Sequence, residues 1–179
     1  MHKLDDQIAQ LAQQLGRAVA GTSHGIITAE SCTGGLLAAA ITEVAGSSGW
    51  FDMGFVTYET AMKTRFLGVP PALIEREGVV SDAVAQAMAR GALASAARAT
   101  LSVGITGYAG PAGGTERMPV GSVSVGWGYR FNEHIVTLSR TIHVNGDRAM
   151  VRRAAVVTAL NGLLELIKFG NPAAMPSEY

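Results

Sequence analysis

Residues 25–37 limit the fold more than any other stretch. They read Gly25-Ile26-Ile27-Thr28-Ala29-Glu30-Ser31-Cys32-Thr33-Gly34-Gly35-Leu36-Leu37, an apolar run of strand character that passes through small and polar residues into a helical pattern. That change of hydrophobic period places Ser31 at a turn between a strand and a helix. Such turns carry the chemistry of α/β proteins, because ligands bind outside the carboxyl ends of parallel strands.

Two readings of the turn are open on spacing alone. Ser31 or Thr33 caps the helix and the Gly34-Gly35 pair marks close packing. Alternatively, the unpaired N–H groups and the dipole of the helix start favour an anion or a developing oxyanion. Gly34 and Gly35 then let a ligand reach the backbone, with the Ser31 hydroxyl beside it as nucleophile.

The rest of the chain supplies a frame for this turn. Leu4, Ile8, Leu11, Leu15 and Val19 recur at steps of four and three, the pattern of a helix covering one face of a sheet. Residues 25–30 form the first strand, and a helix runs through Leu36, Leu37, Ile41 and Val44 to the stop at Gly46-Ser47-Ser48-Gly49. Residues 50–58 read as a second strand, 59–67 as a short helix carrying Lys63, and 72–77 as a helical turn after Pro70-Pro71. Ser81 caps a long helix over 83–97, so rich in alanine that it must pack closely on something. Residues 101–106 are the third strand. The loop over 107–119 is dense in Gly and Pro, and a loop of that length is usually functional. Residues 121–129 and 134–144 read as a hairpin turning near Phe131-Asn132, and Asn145-Gly146-Asp147 caps a last amphipathic helix through Ile167. Helices and strands therefore alternate into a mixed sheet between helical layers. Ser31, Tyr58 with Lys63, and Thr106 with its Gly loop all fall at strand ends. At 179 residues with no linker, a single domain over 1–168 is expected, with 169–179 as a frayed tail.

Charge bounds the ligand. Lys plus Arg and Asp plus Glu each number 14, so no net field attracts a polyanion and nucleic acid is not an expected partner. Arg148, Arg152 and Arg153 form a local cluster able to hold one phosphate. Cys32 is the one cysteine, which excludes an internal disulfide and a thiolate metal cluster, and no His pair or His/Asp cluster stands at ligand spacing. Neither a metal nor another cofactor is expected. The first residues lack the apolar core of a signal peptide, and no apolar run approaches spanning length, so the expectation is a cytoplasmic protein with no membrane partner.

The motifs Thr28-Ala29-Glu30-Ser31-Cys32-Thr33-Gly34-Gly35, Gly54-Phe55-Val56-Thr57-Tyr58 with Lys63, Thr106-Gly107-Tyr108-Ala109-Gly110-Pro111 and Pro119-Val120-Gly121 resemble the C-terminal domain family of the competence/damage-inducible protein CinA. The resemblance runs from about Leu4 to Ile167. It implies a three-layer α/β/α sandwich with a mixed, mostly parallel sheet of about five to six strands, found as a homodimer. It also implies nicotinamide-nucleotide amidase activity: nicotinamide mononucleotide and water give nicotinic acid mononucleotide and ammonia. Larger members carry a further N-terminal domain, for which this chain is too short. Ser31 matches the family's nucleophile, and Tyr58, Lys63, Thr106 and Arg148 match its site positions. Tyr108 stands where the family usually has a small aliphatic residue, and Met118 where a charged one is more usual; both bear on substrate fit.

Amide hydrolysis needs a nucleophile, a base, oxyanion donors and an acid for the departing ammonia. None of His2, His24, His134 and His143 has an evident place beside Ser31, which leaves Lys63 or Tyr58 as base. Lys63 serves only if burial or neighbouring positive charge lowers its pKa, and Tyr58 is a candidate relay between Ser31 and Lys63. Thr106 would position the carboxamide, and the N–H groups of Cys32 and Thr33 are oxyanion candidates. Arg148 would pair with the substrate phosphate. Gly34, Gly35, Gly107, Gly110, Gly113 and Gly114 complete the substrate-binding candidates. The rivals are plain ones: Lys63 as a solvated surface charge, Tyr58 as a packed strand end, Arg148 paired with Asp147, Thr106 closing a ladder. At the level of the whole chain they are a non-catalytic nucleotide-binding module, or an interaction domain in competence or the DNA-damage response.

Overall fold

The computed structural model describes residues 2–169; the segment from Gly170 onward, read above as a frayed tail, lies outside the described residues. Helix α1 (His2–Val19) buries Ile8, Leu11, Leu15 and Val19 along one face, as their spacing requires. Strand β1 (Ile26–Glu30) is wholly buried and alternates its side chains between two cores. Ile26 joins Leu15, Ile41, Leu101 and Leu160 on one face, and Ile27 and Ala29 join Val84, Met88 and Leu93 on the other.

Helix α2 (Leu36–Thr42) leads to β2 (Phe51–Val56), and α3 (Thr60–Leu67), α4 (Pro71–Glu77) and α5 (Asp82–Ala94) lead to β3 (Leu101–Gly107). A hairpin of β4 (Ser122–Phe131) and β5 (His134–His143) follows, then α6 (Arg148–Phe169). The sheet order is β2-β1-β3-β4-β5, five strands, with β1 parallel to β2 and β3 and the last two pairings antiparallel. Four of the five strands thus run in one direction, so the sheet is mixed and mostly parallel. Helices α1, α2 and α6 cover one face and α5, with α3, the other, which makes the three-layer α/β/α sandwich expected.

The alanine-rich helix does pack closely. α5 lies on Gly104 and Gly126, where an added Cβ would stand 2.4 Å and 2.5 Å from the Ala85 carbonyl oxygen. It ends at Ala94 rather than Ala97, because the Arg130 side chain takes the carbonyls of Leu93, Ala96 and Ala99 and holds the chain out of the helix. Ser81 caps α5 by accepting the Val84 N–H at 3.3 Å, and Asp147 caps α6 by accepting the Met150 N–H at 2.7 Å. The register pairs Glu30 with both Val56 and Ile105, so the carboxyl ends of β1, β2 and β3 finish together at one edge.

Candidate active site

Ser31 prolongs β1 by one residue, its N–H donating to the Ile105 carbonyl at 3.0 Å. The chain then turns through Gly34 and Gly35, both at positive φ, and α2 begins only at Leu36. Ser31 is therefore no helix cap: Gly35 holds that position without a side-chain bond. The start of α2 is not an open anion site either. The fully buried Glu30 carboxylate accepts the N–H groups of Gly35, Leu37 and Ala38 at 3.1, 3.0 and 2.9 Å. It fills the place the sequence reading left for an oxyanion, and it holds the Ser31 turn against α2. Glu30 is missing from the sequence-based candidates because its bonds reach five to eight residues ahead, outside the local capping spacings.

Lys63 comes from α3, whose first turn is capped by Glu59 through the Ala61 N–H at 2.9 Å. Its side chain is 1% exposed, so it is not a surface charge. Its Nζ donates to Ser31 Oγ at 3.0 Å, to the Thr57 carbonyl at 2.8 Å and to the Tyr58 carbonyl at 3.4 Å. Burial lowers the Lys63 pKa from its ordinary value, while Cys32 and Glu59 pull it back up. Once the amine is neutral, two carbonyls take its two protons and its lone pair is left for the Ser31 hydroxyl.

Tyr58 is turned the other way. It is 59% exposed, and its hydroxyl accepts from Arg148 Nη2 at 2.8 Å, so it does not stand between Ser31 and Lys63 as a relay. Arg148 also donates from Nη1 to the Gly110 carbonyl at 2.8 Å, bridging the end of β2 to the Gly loop; it makes no ion pair with Asp147. Thr106 donates its hydroxyl to the Val79 carbonyl at 2.8 Å, which leaves that oxygen to accept only. The arginine cluster diverges: Arg153 pairs with Asp5 at 2.6 Å and Arg152 donates to the Thr33 carbonyl at 2.7 Å.

These side chains surround one cavity of ≈ 220 Å³, lined by Ser31, Cys32, Tyr58, Lys63, Thr106, Gly107, Tyr108, Gly110 and Arg148 among others. Thr33, Gly34, Gly35, Gly113 and Gly114 are not in its wall. The Gly35 N–H is taken by Glu30 and that of Gly34 by the Ser31 carbonyl. Gly114 makes a close turn in which a Cβ would stand 2.7 Å from the Val120 nitrogen. Among the described residues no backbone carbonyl takes the N–H of Cys32 or Thr33, and of the two only Cys32 lines the cavity. The Cys32 thiol is pushed up to about 11, chiefly by burial, so it stays protonated at neutral pH. No group of three or more His, Cys, Asp or Glu side chains suited to a metal occurs among the described residues.

A serine hydroxyl bonded to a buried amine stands at the carboxyl edge of a three-layer α/β/α sandwich, in the wall of a cavity. The chain belongs to the CinA C-terminal domain family, whose model matches residues 8–167. A protein of Pseudomonas putida named nicotinamide-nucleotide amidohydrolase PncC is 47% identical over 161 residues, which is 90% of this chain and 98% of that protein. The Escherichia coli K12 protein of the same name is 44% identical over 159 residues, 89% of this chain and 94% of its own. The solved structure of the competence/damage inducible protein CihA from Agrobacterium tumefaciens matches with a TM-score of 0.83 at 40% identity, covering 89% of this chain and 95% of that one.

Proposed function

We propose that this protein is a nicotinamide-nucleotide amidohydrolase that splits the carboxamide of nicotinamide mononucleotide to give nicotinic acid mononucleotide and ammonia, with Ser31 as nucleophile and Lys63 as base. The observation that carries the reading is the 3.0 Å bond between Lys63 Nζ and Ser31 Oγ in a buried setting. The names of the two PncC relatives support the substrate.

The residues accommodate the following sequence of steps. Neutral Lys63 takes the Ser31 proton as Oγ adds to the carboxamide carbon, and the Cys32 N–H, which no backbone carbonyl takes among the described residues, would serve the resulting oxyanion. Lys63 then returns that proton to the amide nitrogen, the C–N bond breaks, ammonia leaves and an ester to Ser31 remains. A water gives its proton to Lys63 and adds to the ester carbon. The ester bond breaks, Ser31 regains the proton from Lys63, and the product departs as carboxylate once its carboxyl proton has passed to solvent. Arg148, always charged and free of any carboxylate partner among the described residues, would exchange its neutral partners for the substrate phosphate. A purely nucleotide-binding module has no use for a lysine that is costly to bury and aimed at a serine.

The test is ammonia release from nicotinamide, its riboside, its mononucleotide and the dinucleotide. The mononucleotide is the expected substrate, and Ser31→Ala lowers its turnover by at least about 1,000-fold. Tight binding of the mononucleotide with no turnover by the unmodified protein would refute the enzyme reading.

A further inference from the structure

The geometry points to Tyr108 as the residue that selects for the positive charge on the substrate's aromatic ring, an inference that rests on the amidohydrolase reading and names the side chain that would read that ring. Tyr108 follows β3 directly and lines the same cavity as Ser31, Lys63 and Arg148. Its backbone is pinned twice: the N–H donates to the Ser122 carbonyl at 2.9 Å, and the carbonyl accepts the Gly121 N–H at 2.7 Å. Its ring rests on Gly113, which sits at φ +95°; a Cβ there would stand 3.4 Å from ring Cδ1. Gly113 thus seats an aromatic side chain instead of touching ligand.

Two features make the ring, rather than its polar tip, the working part. The Tyr58 hydroxyl accepts from Arg148, whereas among the described residues the Tyr108 hydroxyl has no hydrogen-bond partner. No carboxylate lines the cavity, so a cationic ring finds no ion pair there and meets Arg148 as a like charge. The negative π faces of the two lining tyrosines are the attraction that remains, and of the two Tyr58 is tied to the Arg148 cation, which leaves Tyr108 for the ring. A pyridinium linked through nitrogen to ribose is flat and carries a full positive charge. Ser31 and Tyr108 line the same cavity of ≈ 220 Å³, so a ring whose carboxamide sits at Ser31 would lie within reach of that tyrosine. An aliphatic side chain would touch a neutral ring equally well but offer nothing to the charge.

The experiment uses the Ser31→Ala protein, in which the expected loss of turnover leaves the ligand intact during the titration. Calorimetric titration gives Kd for nicotinamide mononucleotide and for its reduced form, whose dihydropyridine ring is uncharged, with and without Tyr108→Leu. The expected result is that Tyr108→Leu weakens the pyridinium form about fivefold and the reduced form less than about twofold, while Tyr108→Phe restores both. With Ser31 present, the same Leu variant raises KM about fivefold and moves kcat less. Equal weakening of both forms, or no weakening of either, overturns the assignment. Failure of Tyr108→Phe to restore binding does so too, because the hydroxyl would then be the contact. If Tyr108→Leu does not fold, Tyr108→Trp carries the test: the pyridinium form must tighten relative to the reduced one, and an unchanged ratio overturns the assignment. An unmodified protein that releases no ammonia from any pyridinium amide removes the amidohydrolase reading instead, and the binding ratios tell that failure from this one.

Discussion

At the floor of the cavity Lys63 is 1% exposed and its amine meets Ser31 Oγ and two backbone carbonyls; at the mouth Tyr58 is 59% exposed and its hydroxyl accepts from Arg148. Each end carries a basic side chain, yet the two hold their protons with different strength. Burial weakens the hold of Lys63 on its proton, whereas an arginine cannot give its proton up at all. The proposed base and the proposed phosphate anchor thus stand apart within one small cavity, set off by desolvation at one end and by guanidinium chemistry at the other. Exchanging the two residue types would leave a base that never deprotonates and an anchor without its planar fork.

The largest effect is expected from removing the floor. Lys63→Met lowers kcat by about 100- to 10,000-fold in the ammonia assay. Its stability moves the other way. With the folded pKa of Lys63 lowered, the unfolded chain binds more protons between that value and the ordinary lysine value of 10.5, so stability rises with pH through that window. At neutral pH the ammonium is a cost of folding, and Lys63→Met raises the melting temperature by about 2–4 °C in calorimetry. A lower melting temperature, at unchanged fold, would break the contrast. For the unmodified protein, kcat/KM rises with pH and levels once Lys63 is neutral; a limb near 11 instead would follow the Cys32 thiol.

At the mouth the effect is smaller and falls on binding. Arg148→Ala raises KM for the mononucleotide about 10- to 100-fold and changes kcat less, and Arg148→Lys does not restore it. Tyr58→Phe, which removes only the bond to Arg148, raises KM about two- to fivefold; a loss in kcat as large as that of Lys63→Met would return the tyrosine to the floor as a relay. Smallest of all is Cys32→Ala, with kcat within about twofold of the parent, since a buried protonated thiol is a poor nucleophile. Retained activity in Ser31→Ala with none in Cys32→Ala would exchange the two roles.

Much of this was legible without coordinates. The 3.6 and 2.0 periodicities locate α1, β1, β3 and the hairpin, and the rule that ligands gather at the carboxyl ends of parallel strands brings Ser31, Lys63 and Thr106 to one edge. What was not legible shares one cause. The Glu30 bonds to the start of α2, the Arg130 hold on the end of α5 and the Arg148–Tyr58–Gly110 bridge all join residues at separations with no periodic signature. The Gly loop was read as a cradle for ligand, yet Gly113 and Gly114 serve the loop's own packing.

Local pattern alone therefore settles where most strands and helices fall, and hence a mixed sheet between helical layers, because side-chain period is a property of neighbours in the chain. Which hydroxyl meets which amine, and whether that amine keeps its charge, was decided by tertiary structure. Desolvation depends on everything that surrounds a group, and for Lys63 that includes Thr57, Tyr58 and Ser31, brought together only when the first two parallel strands lie side by side.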